Sequence, residues 1–407
     1  MSFNIALTGL NAATQDLSVT SNNLANSQTI GFKESRTEFG DIFASSQTGV
    51  ASTAVGNGVQ VTEVAQQFTQ GNIETTGNSL DLAISGNGFF TVSNNGSLQY
   101  TRDGEFQLNS QGQVVTATGA ALQVYAPLAN GTFNTGGLSS ISLTTNESLP
   151  SATTTASITA TLPASASAPT NATFSPSDPT SYTNTTSLTV YDSLGAAHTE
   201  SMYFIKGSTA NQWSVATYID GNEVGTPQAL TYSSAGLLTS PAGGKISLPA
   251  YTPSTGAAAM NITLDLSGTQ QTGSAFAVTA VNQDGYTTGT LTGISIDSSG
   301  VVQATFTNGR TTNLGQVALA NFANPQGLQQ LGNATYAQTN ASGSPVMGVA
   351  GGANFGSLES GSLEESNVDT TSALVQMITA QRNFQANAQM IQTDDQITQT
   401  VINIRGG

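Results

Sequence analysis

Apolar residues return every seven positions at the start of the chain: Phe3, Leu10, Leu17 and Leu24, with Ala6 and Ala13 in the intervening places. A helix with this repeat turns one narrow stripe toward a partner, which is the a/d spacing of a coiled coil. Asn4, Thr8, Asn11, Gln15, Ser18 and Asn22 form a second stripe that is polar but uncharged, and Asp16 is the only charged residue before Lys33. Ser2 is the expected cap. Asn26 is the expected end, since Asn tolerates the left-handed C-terminal conformation and Gly31 follows shortly.

The other end of the chain mirrors the first. From Asp369, an expected N-cap, the residues Leu374, Met377, Ile378, Phe384, Ala388 and Ile391 keep helical spacing, and Ile397, Val401, Ile402 and Ile404 widen the apolar surface. Beside them Gln385, Gln389, Gln392, Gln396, Gln399 and Asn403 alternate steps of four and three, so they fall in one narrow amide row. On spacing alone, two amphipathic helices packed on their own core would serve as well. A helix face turned to water normally carries Lys and Glu, however, and these faces carry amides and hydroxyls. That favours assembly. The expected assembly residues are Phe3, Leu7, Leu10, Leu17, Leu24, Leu374, Met377, Phe384, Ala388, Ile391 and Ile402.

Between the ends the chain reads as strands and turns. Leu80, Leu82 and Ile84 alternate with other residues, and Gly86 and Gly88 lead into Phe89, Phe90 and Val92. Asp103-Gly104 and Asp220-Gly221 carry the residue pair of a type I′ hairpin turn. Leu291, Ile294, Ile296, Val301 and Phe306 flank Ser299-Gly300 as a further strand pair, with another strand at Val317 and Leu319. The stretch from Leu138 to Ser187 is rich in Ser, Thr, Ala and Pro; a disordered or glycosylated stalk would fit, but strands from Leu188 suggest a crossing into a separate β domain, with a boundary near residue 145. Asp284-Gly285 is the expected point of return.

Composition then limits the partners. At 407 residues the chain has room for two or three domains. Only 8% of it is charged, against about 25% in ordinary soluble proteins, and a formal charge of −16 offers no grip on nucleic acid or anionic lipid, so neither is an expected partner. The absence of Cys rules out disulfides, thiolate metal sites and a Cys nucleophile. No basic n-region and apolar h-region open the sequence, so export without a cleaved signal peptide is the expectation for an extracellular product.

Catalytic chemistry finds few residues to use. A His-based triad would need His198, the single histidine, which lies in an alternating strand where an exposed His is commonplace; no GxSxG accompanies it. Asn282, Asp284 and Gly285 make part of a calcium loop but lack its closing Glu, and a turn accounts for them. The glycines at 86 and 88 open into strand, not helix, which disfavours a dinucleotide loop and leaves Phe89 and Phe90 as core. No enzyme, cofactor or metal site is expected. A surface adhesin would explain the Thr-rich β region and acidic charge, but not the paired terminal heptads.

Several blocks are more specific. Asn22–Lys33 reads NNLANSQTIGFK and resembles the signature after the first helix of bacterial flagellar rod and hook axial proteins, with Asn22, Asn23, Leu24, Ala25, Asn26, Gly31, Phe32 and Lys33 carrying it. GNGFF at 86–90, YTRDGEF at 100–106 and the tail from Gly361 (GSLEESNVD, then MITAQRNFQANAQMIQTDDQI) resemble later blocks of that family, in the same order. LTVYDSLGAAHTESMYFI at 188–205 and QDGYTTGTLTG at 283–293 resemble the outer β domain of its hook branch; distal rod and hook-filament junction proteins remain alternatives within the family.

The resemblance implies a mainly β fold with terminal α-helices. The helices, 1–30 and 360–407, would form a coiled-coil inner domain; 31–70 would connect; 71–145 with 285–359 would make a first β domain, and 146–284 an inserted, nested outer one. It implies a homopolymer in the extracellular hook, acting as a universal joint. Distal rod protein, hook cap, hook-length control protein, hook-filament junction protein and the export apparatus would be its partners. Gln392, Gln396 and Gln399, with Asn11, Gln15 and Ser18, are the candidates to line a central channel; hydrogen bonding to neighbouring helices is the alternative.

Overall fold

Two long runs, almost free of Gly and Pro, bracket the chain and fold as helices α1 (Ser2–Ala25) and α2 (Thr370–Arg405); among the described residues the regular structure between them is strand, apart from three single 3-10 turns. The protein is mainly β with a helix at each end. The structure, a computed structural model, describes residues 2–42, 56–143 and 147–405. It divides into two compact units, one of Met1–Thr145, Gly293–Thr305 and Thr311–Gly407, the other of Asn146–Thr292 with Phe306–Arg310.

In the first unit α1 and α2 lie against each other in opposite directions. Gly9 faces Asn387, where an added Cβ would stand 2.6 Å from the amide oxygen, while Gln376 Nε2 donates to Asp16 Oδ1 at 3.3 Å. The buried positions of the pair are Ala6, Ala12, Ala13, Val19, Thr20 and Asn23 on α1 and Ala373 and Ala380 on α2. Leucines of the heptad flank this seam: Leu10, Leu17 and Leu24 are half-buried, and Phe3 and Leu7 are exposed. Asp369 caps α2 as expected, accepting from the amides of Thr371 (2.9 Å) and Ser372 (3.3 Å). The expected cap at Ser2 lies outside the described side chains. At the end of α1, Asn26 keeps a negative φ and closes the helix by donating from Nδ2 to Asn22 O, 2.9 Å; Gly31 supplies the left-handed step at φ +67°.

Residues after α1 form an antiparallel pair, Ser35–Asp41 with Val59–Gln66. Beyond it stands the β body. Phe89–Asn94 pairs with Ser97–Thr101, Ala121–Tyr125 and Leu319–Asn321, around a core that includes Leu82, Ile84, Phe90, Phe106, Leu122, Val317 and Leu319. Outgoing and returning chain are sewn together, Leu82–Ser85 with Ser357–Ser360 and Ile73–Thr75 with Ser362–Glu364.

The second unit places two sheets face to face. Thr155–Pro163 is the middle of one, and Asn184–Tyr191, Ala197–Lys206 and Gln212–Ile219 run through the other. Their inward residues, among them Ile158, Leu162, Val190, Phe204, Trp213 and Leu230, share one core.

One expectation is corrected here, the turn at Asp103-Gly104, and two others gain detail. The Ser/Thr-rich stretch is no stalk: Ala156, Ile158, Ala160 and Leu162 alternate inward along a core strand, a pattern that alanine makes faint in sequence. Asp103-Gly104 is not a I′ turn, because the flanking strands pair elsewhere and Gly104 has no positive φ. It is glycine because the Leu82 carbonyl occupies the place a side chain would take. Asp284 does more than turn the chain: its carboxylate accepts from the amides of Thr154 (2.8 Å) and Thr155 (3.0 Å), tying the start of one strand to the end of its neighbour. Asp220-Gly221 is the expected turn, with φ +49° and +79° between paired Ile219 and Asn222.

Candidate assembly surface and the joint beneath it

The two helices differ in length, 24 residues against 36. At 1.5 Å per residue α2 outreaches α1 by about 18 Å. From Asp395 to Asn403 every side chain is exposed, including Ile397, Val401 and Ile402, the last at 63%. Leu374, Ile378, Phe384 and Met390 are also exposed, while Met377, Ala388 and Ile391 lie half-buried along α1. Exposed apolar side chains clustered in this way are a feature that interaction surfaces share.

Gln385, Gln389, Gln392, Gln396, Gln399 and Asn403 are all exposed, as are Asn11, Gln15 and Ser18 on α1. Ser18 Oγ is turned back onto Thr14 O at 2.9 Å. The amide row is therefore open to solvent in the single chain.

Where the helices join the β body, the NNLANSQTIGFK block has separate tasks for its residues. Asn23 is buried and copies a strand partner, donating from Nδ2 to Ser35 O (2.7 Å) and accepting from Ser35 N (3.0 Å). Gly31 donates to Glu364 O at 2.8 Å and lies on the backbone of Arg102 and Asp103, where a Cβ has no room. Lys33 is buried, donating to Glu364 Oε1 at 2.5 Å and Thr69 O at 2.8 Å. Asn22 and Ala25 are exposed; Leu24 and Phe32 are half-buried.

Glu364 is the hub of this joint. Its Oε1 also accepts from Gly71 N at 2.9 Å, and Oε2 from Arg102 Nη1 at 3.0 Å; Arg102 Nη2 donates to Gly86 O at 2.7 Å. Burial lowers the pKa of Lys33 and of Arg102, and the Glu364 charge works against it in both. Asn367 completes the arrangement by accepting from Glu34 N (2.7 Å) and donating to Gln67 O (2.8 Å). Arg102, Glu364 and Asn367 were not singled out from the sequence. Scarcity was the available signal, since a cation inside a motif stands out in a chain with eight Lys and Arg residues.

In the second unit His198 proves buried, not exposed: Nδ1 lies 2.5 Å from Asp220 Oδ2 and Nε2 3.2 Å from Asp192 Oδ2. Burial pulls its pKa down, but the hydrogen bonds and charges of the two aspartates outweigh that and leave it raised. Among the described residues no group of three or more His, Asp or Glu could hold a metal ion, and no helix is long and apolar enough to cross a membrane.

A helix pair with exposed apolar residues, anchored by a buried ionic joint in a β body, is the arrangement of a structural class of protein. The comparisons with known proteins give that class its name. Residues 3–33 match the family described as flagella basal body rod protein, 83–161 the flagellar hook protein FlgE/F/G D1 domain, 158–286 the flagellar basal body protein FlaE D2 domain, and 359–404 the flagellar basal body rod FlgEFG protein C-terminal. The chain is 40% identical over 414 residues to the flagellar hook protein FlgE of Salmonella typhimurium, with the whole of both chains covered. It is 41% identical over 416 residues to that of Escherichia coli K12, again over the whole of both, and 34% identical to that of Rhizobium meliloti over 98% of this chain and 97% of the other. The crystal structure of Helicobacter pylori flagellar hook protein FlgE2 superposes with a TM-score of 0.50 at 14% identity, covering 70% of this chain and 99% of that one, a likeness of fold. The chain belongs to the flagellar hook protein FlgE family.

Proposed function

We propose that the protein polymerises into the hook of the bacterial flagellum, a flexible curved tube that transmits torque from rod to filament as a universal joint. The observation that carries this is the apolar face of α2 over Asp395–Asn403, left exposed among the described residues, on a protein 40% identical from end to end to the flagellar hook protein FlgE of Salmonella typhimurium. In the tube the terminal helices form a coiled-coil inner layer. The β body surrounds it, and the second unit, nested between outgoing and returning chain, lies outermost. Contacts between copies are heterologous, so assembly does not close.

Bending requires outer contacts to lengthen on one side and shorten on the other at each turn. A surface of hydroxyls and amides suits this, because such contacts exchange without stranding a desolvated charge. Gln392, Gln396 and Gln399, with Asn11, Gln15 and Ser18 as second candidates, line the channel through which later subunits pass. The partners are further copies, the distal rod, hook cap, hook-length control and hook-filament junction proteins, and the export apparatus; the site of action is extracellular. Electron microscopy of the purified protein tests the reading. Curved tubes of uniform diameter are expected, and loss of both ends, 1–30 and 360–407, should abolish them; undiminished association of the truncated protein would overturn the assignment.

A further inference from the structure

Three distant stretches of chain are tied by charge at Glu364. Lys33 comes from the chain leaving α1, Glu364 from the chain returning to α2, and Arg102 from the β body; Lys33 is 1% exposed and Glu364 not at all. Two of the eight Lys and Arg residues are placed in this interior, in a sequence with few charges to place. Stability alone does not ask for them. Removing ions from water costs several kcal/mol each, and apolar replacements of similar volume are often neutral or stabilising.

What the shared carboxylate supplies is direction. Oε1 takes Lys33 and the Gly71 amide while Oε2 takes Arg102, itself held by Gly86 O, so the three stretches have one mutual arrangement. Apolar packing in the same place is non-directional and would not by itself select that arrangement. The lever is long: α2 spans about 54 Å, so a turn of about 5° at its root moves its far end by about 5 Å. Resting on the hook reading above, we propose that Lys33, Glu364 and Arg102 are positioning residues that fix the terminal helix pair on the β body, and through it the curvature and pitch of the assembled tube.

Lys33→Met is the informative change. It leaves Glu364 paired one to one with Arg102 and still bound to the Gly71 amide, and the Thr69 carbonyl keeps the Asn367 amide at 3.2 Å, so the subunit should stay folded. Lys33→Arg keeps the cation and serves as the rescue. Monomer melting and the form of tubes by electron microscopy are read for both. The Met variant should melt like the unaltered protein and form tubes without its single curvature, and the Arg variant should restore the curvature. If the Met tubes keep the original shape, or change shape only along with a fall in melting temperature, the cluster is ordinary structure and the inference is wrong. Should the unaltered protein form no tubes, the hook reading and this inference fall together; normal tubes with an indifferent Met variant remove this inference alone.

Discussion

Glu200 gives the sharpest quantitative test of the second unit. It lies in Ala197–Lys206 between Leu188 and Ile219 on the neighbouring strands, is fully buried, and neither carboxyl oxygen has a hydrogen-bond partner. Burial alone pushes its pKa from 4.5 to about 7. The folded state thus holds the proton more tightly than the unfolded chain. The contribution of Glu200 to stability is most favourable below pH 4.5, falls as pH rises through the window up to about 7, and is then level, because above it a charge stays buried without a partner. At about 1.4 kcal/mol per pH unit, the loss across that window is about 3 kcal/mol. Glu200→Gln keeps the shape and cannot ionise. Trp213, the only tryptophan, packs in the same core as Leu188 and Ile219, so its fluorescence follows unfolding of this unit apart from the other. Urea unfolding from pH 4 to 9 should give equal stabilities near pH 4 and an advantage for the variant of about 3 kcal/mol at pH 8, or ~6–12 °C in melting temperature for a unit of this size. Parallel profiles at every pH, or a variant weaker at pH 8, would refute the reasoning.

Four other outcomes are expected. His198→Gln should cost stability at pH 6 and less at pH 9, since the raised pKa makes the imidazolium's contribution full below 6.5 and lost as pH climbs through the folded value; the same tryptophan signal reports it. Gly31→Ala should destabilise the first unit by about 2–4 kcal/mol, measured by calorimetry, because φ is +67° and the new methyl meets the Asp103 backbone. Val401→Asp should leave monomer melting unchanged and block tube formation in light scattering, as the residue is exposed in the single chain. Gln392→Arg with Gln396→Arg should permit hooks but slow or stop growth of the filament beyond them, through a repeated charge in the channel; normal filaments, or no hook, would exclude those residues from its wall.

Local order was legible because its causes are local. Heptad spacing marked α1, Asp369 marked the cap of α2, and Asp-Gly at 220–221 marked a hairpin through the positive φ both residues tolerate. The resemblance of the Asn22–Lys33 block was equally a matter of contiguous residues. Sequence periodicity also found the apolar stripe of α2, although it could not tell which members meet α1 and which overhang it. That depends on the relative lengths and stagger of two helices more than 340 residues apart.

Tertiary structure decided the features whose partners lie far away along the chain. Lys33 and Glu364 are separated by 331 positions, and nothing near either one announces the other or Arg102 between them. Gly104 looked like a turn residue because Asp-Gly usually is one; only the approach of the Leu82 carbonyl shows that the missing Cβ was the requirement, not the backbone angle. His198 looked exposed until Asp192 and Asp220 closed on both its nitrogens. Ala156 and Ala160 carry too little apolar surface to announce a core strand, and become one when a second sheet covers them. Periodicity and turn chemistry act over a few residues and are written where they act, whereas burial and charge pairing belong to whichever segments the completed fold brings together.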